Sequence, residues 1–153
     1  MKQANERQKL LQTLITVAAS RPLNQAELAK LNELSTTGGF DATVGIRYTH
    51  LSAGEARAVI QVGPQHHQPW GVANGGVYCS LAESVASLAG VVAAGGPVMG
   101  INNNTNFISA VSTGAVEAVA RPIQLGRRTQ VWEVTMSQDG ELKAKTTLRT
   151  MVG

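Results

Sequence analysis

The chain has 153 residues, the size of one domain, with 43% hydrophobic and 15% charged residues and a formal net charge of +3. That charge favours an anionic ligand, but the Lys and Arg residues are scattered, with only Arg127 and Arg128 adjacent, which excludes a nucleic-acid-binding profile. The single Cys79 excludes an intrachain disulfide, no Cys/His spacing points to zinc or another metal, and no signal sequence is visible, so a reduced cytoplasmic setting is expected.

Residues 1–19 read as an amphipathic helix with Leu10, Leu11, Leu14, Ile15 and Ala18 on one face. Ser20-Arg21-Pro22 breaks it, and Asn24 with Glu27 makes a capping box for a second helix carrying Leu28, Leu31 and Leu34. The pair lacks the basic face of a DNA-reading helix-turn-helix. Residues 1–35 are therefore expected to be a helical extension, packed on a domain over 36–153 or on a partner subunit. After Gly38-Gly39, residues 43–51 are strand-like, Ser52-Ala53-Gly54 turns the chain, and 55–62 alternate with Ala56, Ala58, Ile60 and Val62 on one side.

The polar segment 63–74 holds His66 and His67, which read as solvated loop residues. A helix from about Gly75 to Ala94 follows, ended by Gly95-Gly96-Pro97. Glu83 and several serines make it a poor membrane span. Residues 98–111 form a long Asn-rich strand, 115–121 another, and 122–126 a connection. Residues 128–137 alternate, Asp139-Gly140 signals a hairpin, and 141–152 close the chain. The outline is an α+β fold, one long buried helix against one face of an antiparallel sheet.

Within that helix Gly76, Ser80, Glu83 and Ser87 follow spacings of four, three and four, so they line one stripe. The other positions are apolar nearly all round, which marks a buried helix. A buried carboxylate is costly unless paired or bonded, so the stripe is expected to face a cavity, a subunit seam or a ligand. A strand Arg paired with Glu83 is the plain alternative. The serines read as bonding back to a carbonyl one turn earlier, and Cys79 as a small core residue.

At the helix start Asn74 is the expected N-cap. The first N–H groups lack intrahelical partners, the helix dipole adds positive potential, and the bare Gly75 and Gly76 let a ligand oxygen approach. Such a start is a ready oxyanion site. Glu83 lies roughly 10 Å further on by helical rise, room for a thioester between the two. The Gln68 amide, ahead of Pro69-Trp70, is placed to donate to the same carbonyl.

Gln68-Pro69-Trp70-Gly71, Asn74-Gly75-Gly76 and Leu81-Ala82-Glu83-Ser84, with Gly126-Arg127-Arg128-Thr129 downstream, resemble the hotdog-fold acyl-CoA thioesterases. The likeness is to the phenylacetate-pathway and 4-hydroxybenzoyl-CoA thioesterase branch, and it spans roughly residues 40–152. It implies a long central helix packed on a curved antiparallel sheet. It also implies subunits joined with their sheets continuous, as homodimers or homotetramers with sites at the dimer interface. The implied reaction is hydrolysis of an acyl- or aryl-CoA thioester to the free acid and CoA.

In the roles the family implies, Glu83 is nucleophile or general base, the Gly75 N–H polarises the carbonyl, Gln68 supports it, and Ser87 helps place the carboxylate or water. Asn74 stands where many relatives carry His, and it can hydrogen-bond but cannot titrate near neutral pH. Phe107 stands where some relatives place a His near the acyl group, implying a more hydrophobic wall. Asn74, Gly76 and Phe107 are thus expected beside the substrate, and Arg127 and Arg128 at the CoA phosphates, which suit guanidinium. Strand alternation would send those two arginines to opposite faces.

Small Ala86 and Gly90 leave room along the helix for an aromatic ring or a medium chain. No metal or separate cofactor is expected, and no nucleic-acid or membrane partner. The alternative is a non-catalytic acyl-CoA-binding or sensor module on the same fold. A dehydratase-type enzyme would need an Asp/His pair that the sequence does not offer.

Overall fold

The computed structural model describes residues 2–153, with side chains from Asn5 onward. Two helices open the chain, α1 (Lys2–Ser20) and α2 (Gln25–Thr36). The capping box at α2 is formed in full: the Asn24 side chain accepts the Glu27 N–H at 3.0 Å, and the Glu27 carboxylate accepts the Asn24 N–H at 2.8 Å. Leu14, Ile15, Ala18, Leu23 and Leu31 from this region join the one hydrophobic core, so α1 and α2 pack on the domain itself.

A short helix, α3 (Phe40–Val44), takes up residues expected to begin the first strand. Gly45 closes it in the left-handed conformation, φ 80°, and β1 (Arg47–Ser52) starts only after that turn. Then come β2 (Glu55–Val62), α4 (Gly75–Ala94), β3 (Val98–Phe107), β4 (Gly114–Leu125), β5 (Thr129–Gln138) and β6 (Glu141–Val152). All pairings are antiparallel, in the order β1-β2-β4-β5-β6-β3. The chain therefore crosses from one side of the sheet, through α4, to the far edge.

Two strand ends differ from expectation. β3 stops at Phe107 rather than 111. β4 runs on through Pro122, where a connection was expected. Proline is tolerated there because the β2 ladder ends at the Ala56–Ala120 pair. Beyond it β4 has only β5 as neighbour, and the register shifts between Pro122 and Gln124, so the missing N–H interrupts no second ladder. The Asp139-Gly140 turn has both residues at positive φ, 51° and 80°, the signature of a two-residue hairpin.

One face of the sheet carries the core: Ala58, Ile60, Val116, Ala118, Trp132, Val134, Met136 and Leu148 are all buried against α4. The helix meets them with Tyr78, Leu81, Ala82, Val85, Ala86, Ala89 and Val92. Its length and composition would suffice to cross a membrane, but this apolar face is spent on the sheet. The second half of α4 is pinned by a buried network. Gln130 donates to the Gly90 carbonyl at 3.1 Å, and its side-chain oxygen accepts from Trp132 Nε1 and the Thr150 hydroxyl. A methyl added at Gly90 would sit 2.6 Å from that oxygen. The space expected beside Gly90 and Ala86 for an acyl group is therefore filled: Gln130 occupies the one and Ala86 is wholly buried.

Candidate active site

The loop before α4 is a built support, not a free linker. Gln68 and Gly71 close a turn through a 3.0 Å backbone bond, with Pro69 in second place and Gly71 at φ 77°. His67 and Ala73 bridge across the loop, and the Ala73 N–H bonds the Val111 carbonyl at 2.8 Å. His66 is not solvated, as the sequence led one to expect, but buried. It accepts the Gly63 N–H at Nδ1 and reaches the Val44 carbonyl from Nε2 at 2.8 Å, tying the loop to α3. His67 Nε2 lies 2.6 Å from the Ser112 carbonyl. Both histidines thus serve as struts.

This support delivers Gln68 and Gly75 to one cleft of about 320 Å³, which they line together with Val72, Tyr78, Phe107 and Ser109. The Gln68 side-chain oxygen accepts the Trp70 N–H at 2.6 Å, which directs the amide NH₂ elsewhere as a donor. Asn74 caps α4 by accepting the Gly76 N–H at 2.8 Å, so its side chain is engaged in holding the helix start. The Phe107 ring lies against Gly75: an added methyl there would meet it at 2.6 Å. A side chain at 75 would have to displace that ring. Gly76 and Asn74 line a neighbouring groove with Phe40 and Ser80 and do not face this cleft.

Glu83 departs most from expectation. It is exposed in the single chain, and Gly76, Ser80 and Ser87 of its stripe are exposed or half-buried with it. The α4 helix is therefore covered by the sheet and by α1 and α3 but not all round, and the polar stripe lies on the side left open. The Glu83 carboxylate lies over Gly100 of β3, 3.1 Å from where a methyl on that residue would be. Gly75, by contrast, packs on Phe107 at the other end of the same strand. Ser80 bonds back to the Gly76 carbonyl at 2.7 Å, as mid-helix serines do. Ser84, next to Glu83, donates to Asp41 at 2.7 Å, and Asp41 also accepts from the buried Tyr48 hydroxyl at 3.0 Å. This brace from α3 fixes the rotation of α4 about Glu83. Nothing local in the sequence signals it, since Asp41 and Ser84 are 43 positions apart.

Arg127 and Arg128 occupy the turn between β4 and β5, both exposed, so strand alternation does not divide them. The Arg128 carbonyl accepts the Val152 N–H, which sets this turn beside the start of β3. Along β3 that is roughly 30 Å from Phe107. Tyr78 is the residue that sequence reasoning missed in the cleft. Its signal was a hydroxyl-bearing aromatic one turn past Gly75 in an otherwise apolar helix face.

A long helix on a six-stranded antiparallel sheet, with Gln68 and Gly75 at the helix start sharing a cleft, is the hotdog architecture, and this chain belongs to the thioesterase superfamily, whose family model matches residues 71–145. It is a thioester hydrolase. A Mycobacterium tuberculosis protein bearing a provisional esterase name is 42% identical over 111 residues, covering 69% of this chain and 79% of that one. Its solved structure matches with a TM-score of 0.71 at 40% identity, over 73% of this chain and 94% of that chain. The proofreading thioesterase EntH of Klebsiella pneumoniae is 39% identical, covering 71% and 80%. The 1,4-dihydroxy-2-naphthoyl-CoA hydrolase of Listeria monocytogenes is 33% identical, covering 67% and 85%.

Proposed function

We propose that this protein is an acyl-CoA or aryl-CoA thioesterase acting as a homodimer or a pair of dimers, each site built from two subunits. One observation carries this reading: in a single chain Gln68 and Gly75 lie at one end of β3 while the Glu83 carboxylate lies over Gly100 near the other. The outer edge of β3 pairs with no strand of the described residues, and Met99, Ile101, Phe107 and Ile108 are exposed along it. A bare apolar edge is a template for a second strand. Antiparallel pairing of two β3 strands about their middle would make one continuous sheet and set Phe107 opposite Val98 of the partner subunit. Glu83 of the partner subunit would then come beside the Gly75 cleft. Arg127 of the partner subunit would approach the same end, where CoA phosphates suit a guanidinium, with Arg128 of the partner subunit next to it.

In this site the Gly75 N–H and the Gln68 amide hold the oxygen on which charge develops. Glu83 attacks the thioester carbonyl or takes a proton from the water that does, and Ser87, one turn on, steadies the carboxylate or water. Asn74 and Gly76 act by fixing the helix start, and Phe107 as an apolar wall. The products are the free acid and CoA; CoA enters as part of the substrate, and the reaction calls for no separate cofactor. We assign residues 1–35 to a helical extension and 36–153 to the thioesterase domain, in a cytoplasmic setting where CoA esters are met.

Glu83→Gln keeps shape and removes the charge. Turnover of the best substrate from a panel of aryl-, short- and medium-chain CoA esters should fall ~10²-fold or more in a variant that folds. Wild-type turnover in that variant would end the assignment of Glu83. Stoichiometric binding of these esters to the wild-type protein without turnover would favour the sensor reading.

A further inference from the structure

Tyr78 carries an unexplained group. It is 3% exposed, and its hydroxyl is the one buried side-chain oxygen or nitrogen among the described residues with no hydrogen-bond partner. Native folds rarely leave such a group unsatisfied, because an unbonded buried hydroxyl forfeits its bonds to water. Side chains on a helix lean toward its N-terminus, so Tyr78 extends over the turn that begins with Gly75. Its ring packs on Phe107 at 6.1 Å between centroids, and both rings line the Gln68–Gly75 cleft. Burial raises the phenol above its ordinary value, so at physiological pH it is a neutral O–H, a donor as well as an acceptor. Val72, Ala73, Phe107, Ile108 and Ala110 make most of the remaining wall apolar. Gln68 and Ser109 add polar groups to the same wall, and Ser109 is engaged with Glu141 and Lys143, but the Tyr78 hydroxyl is the buried one left without a partner. Such a group selects a polar atom of a ligand.

We infer that the Tyr78 hydroxyl is a specificity-determining contact, donating a hydrogen bond to a hydroxyl or keto oxygen carried on the acyl group of the substrate. The inference rests on the acyl-CoA reading of the cleft. The thioester carbonyl sits at the Gly75 N–H, and Tyr78, one turn further along α4, reaches an oxygen beyond it. An acyl group without such an oxygen leaves the hydroxyl buried and unbonded, and a site of that kind discriminates against it.

Tyr78→Phe deletes only the hydroxyl. The test measures kcat/KM of the wild-type and variant proteins on matched CoA esters, benzoyl against hydroxybenzoyl and acyl against 3-hydroxyacyl of equal length. It also measures the Tm of both proteins without ligand. The wild type should prefer the oxygenated member of at least one pair, the variant should lose about tenfold or more of that preference, and its ligand-free Tm should be no lower than wild type. An unchanged preference overturns the inference while the thioesterase reading stands, provided Glu83→Gln is inactive on the same esters. A ligand-free Tm lowered by several degrees also overturns it, since the hydroxyl would then be bonded within the fold. No turnover of any ester by the wild type overturns both readings together.

Discussion

At the scale of single residues, the structure separates what a side chain does for the fold from what it does for chemistry. Asn74 sits in the Gly-Gly motif, yet its side chain is committed to the Gly76 N–H. Asn74→Ala should therefore cost about 1 kcal/mol of stability, read from denaturant midpoints, and Asn74→Ser or Asn74→Asp should restore most of it. Equal stability of all four proteins would remove Asn74 from the cap. Part of the candidate cleft was legible at this scale: Gln68 and Gly75 share it with Phe107, more than thirty positions further on in sequence. The burial of Glu83 was misread for a physical reason. An apolar helix with a polar stripe looks buried all round in sequence, because its composition does not reveal which side a single chain leaves uncovered. His66 was misread for the converse reason: its two partners, the Gly63 N–H and the Val44 carbonyl, are main-chain groups that no side-chain pattern announces.

Elements with strong local signals formed where the sequence placed them. β2, α4 and β6 match their expected limits because each has unbroken periodicity and a strong end signal: Gly54, Asn74 with Gly95, and Asp139-Gly140. Short α3 was missed since five residues carry too little periodicity, and β4 was cut short at Pro122 because a missing ladder partner is a property of the sheet. The start of α2 makes a pH-dependent prediction. Glu27 is lowered to about 2 by its hydrogen bond from Arg21 and by the Asn24 N–H. Its folded value lies below its unfolded one. The stabilisation is thus present above the ordinary carboxylate range and is lost as pH falls from there through about 2. Glu27→Gln should lower Tm at neutral pH, and the gap should close in a pH series descending through that window. A gap that stays constant down to pH 2 would contradict the pairing.

For the whole molecule, sequence gave the fold class and the likeness, but the division of the site depends on where β3 lands. Only the topology puts that strand at the open edge, with Gly75 packed near one end and Glu83 over the other. Ile101, 49% exposed on this edge, is the position at which charge should act on assembly. Ile101→Lys should keep the helix and sheet signals in circular dichroism, elute as a monomer, and lose about 10²-fold or more in turnover. A monomer of full activity would place a complete site within one chain.

The most direct measurement mixes two crippled proteins. Glu83→Gln and Gln68→Ala, carrying different tags, are co-expressed and the doubly tagged species is purified. In a mixed pair one of the two sites combines the intact Glu83 of one subunit with the intact Gln68 of the other. Turnover per active-site pair should rise well above either parent, to about half that of the wild-type dimer. Activity no greater than the mean of the two parent variants would show that Glu83 and Gln68 act within the same chain.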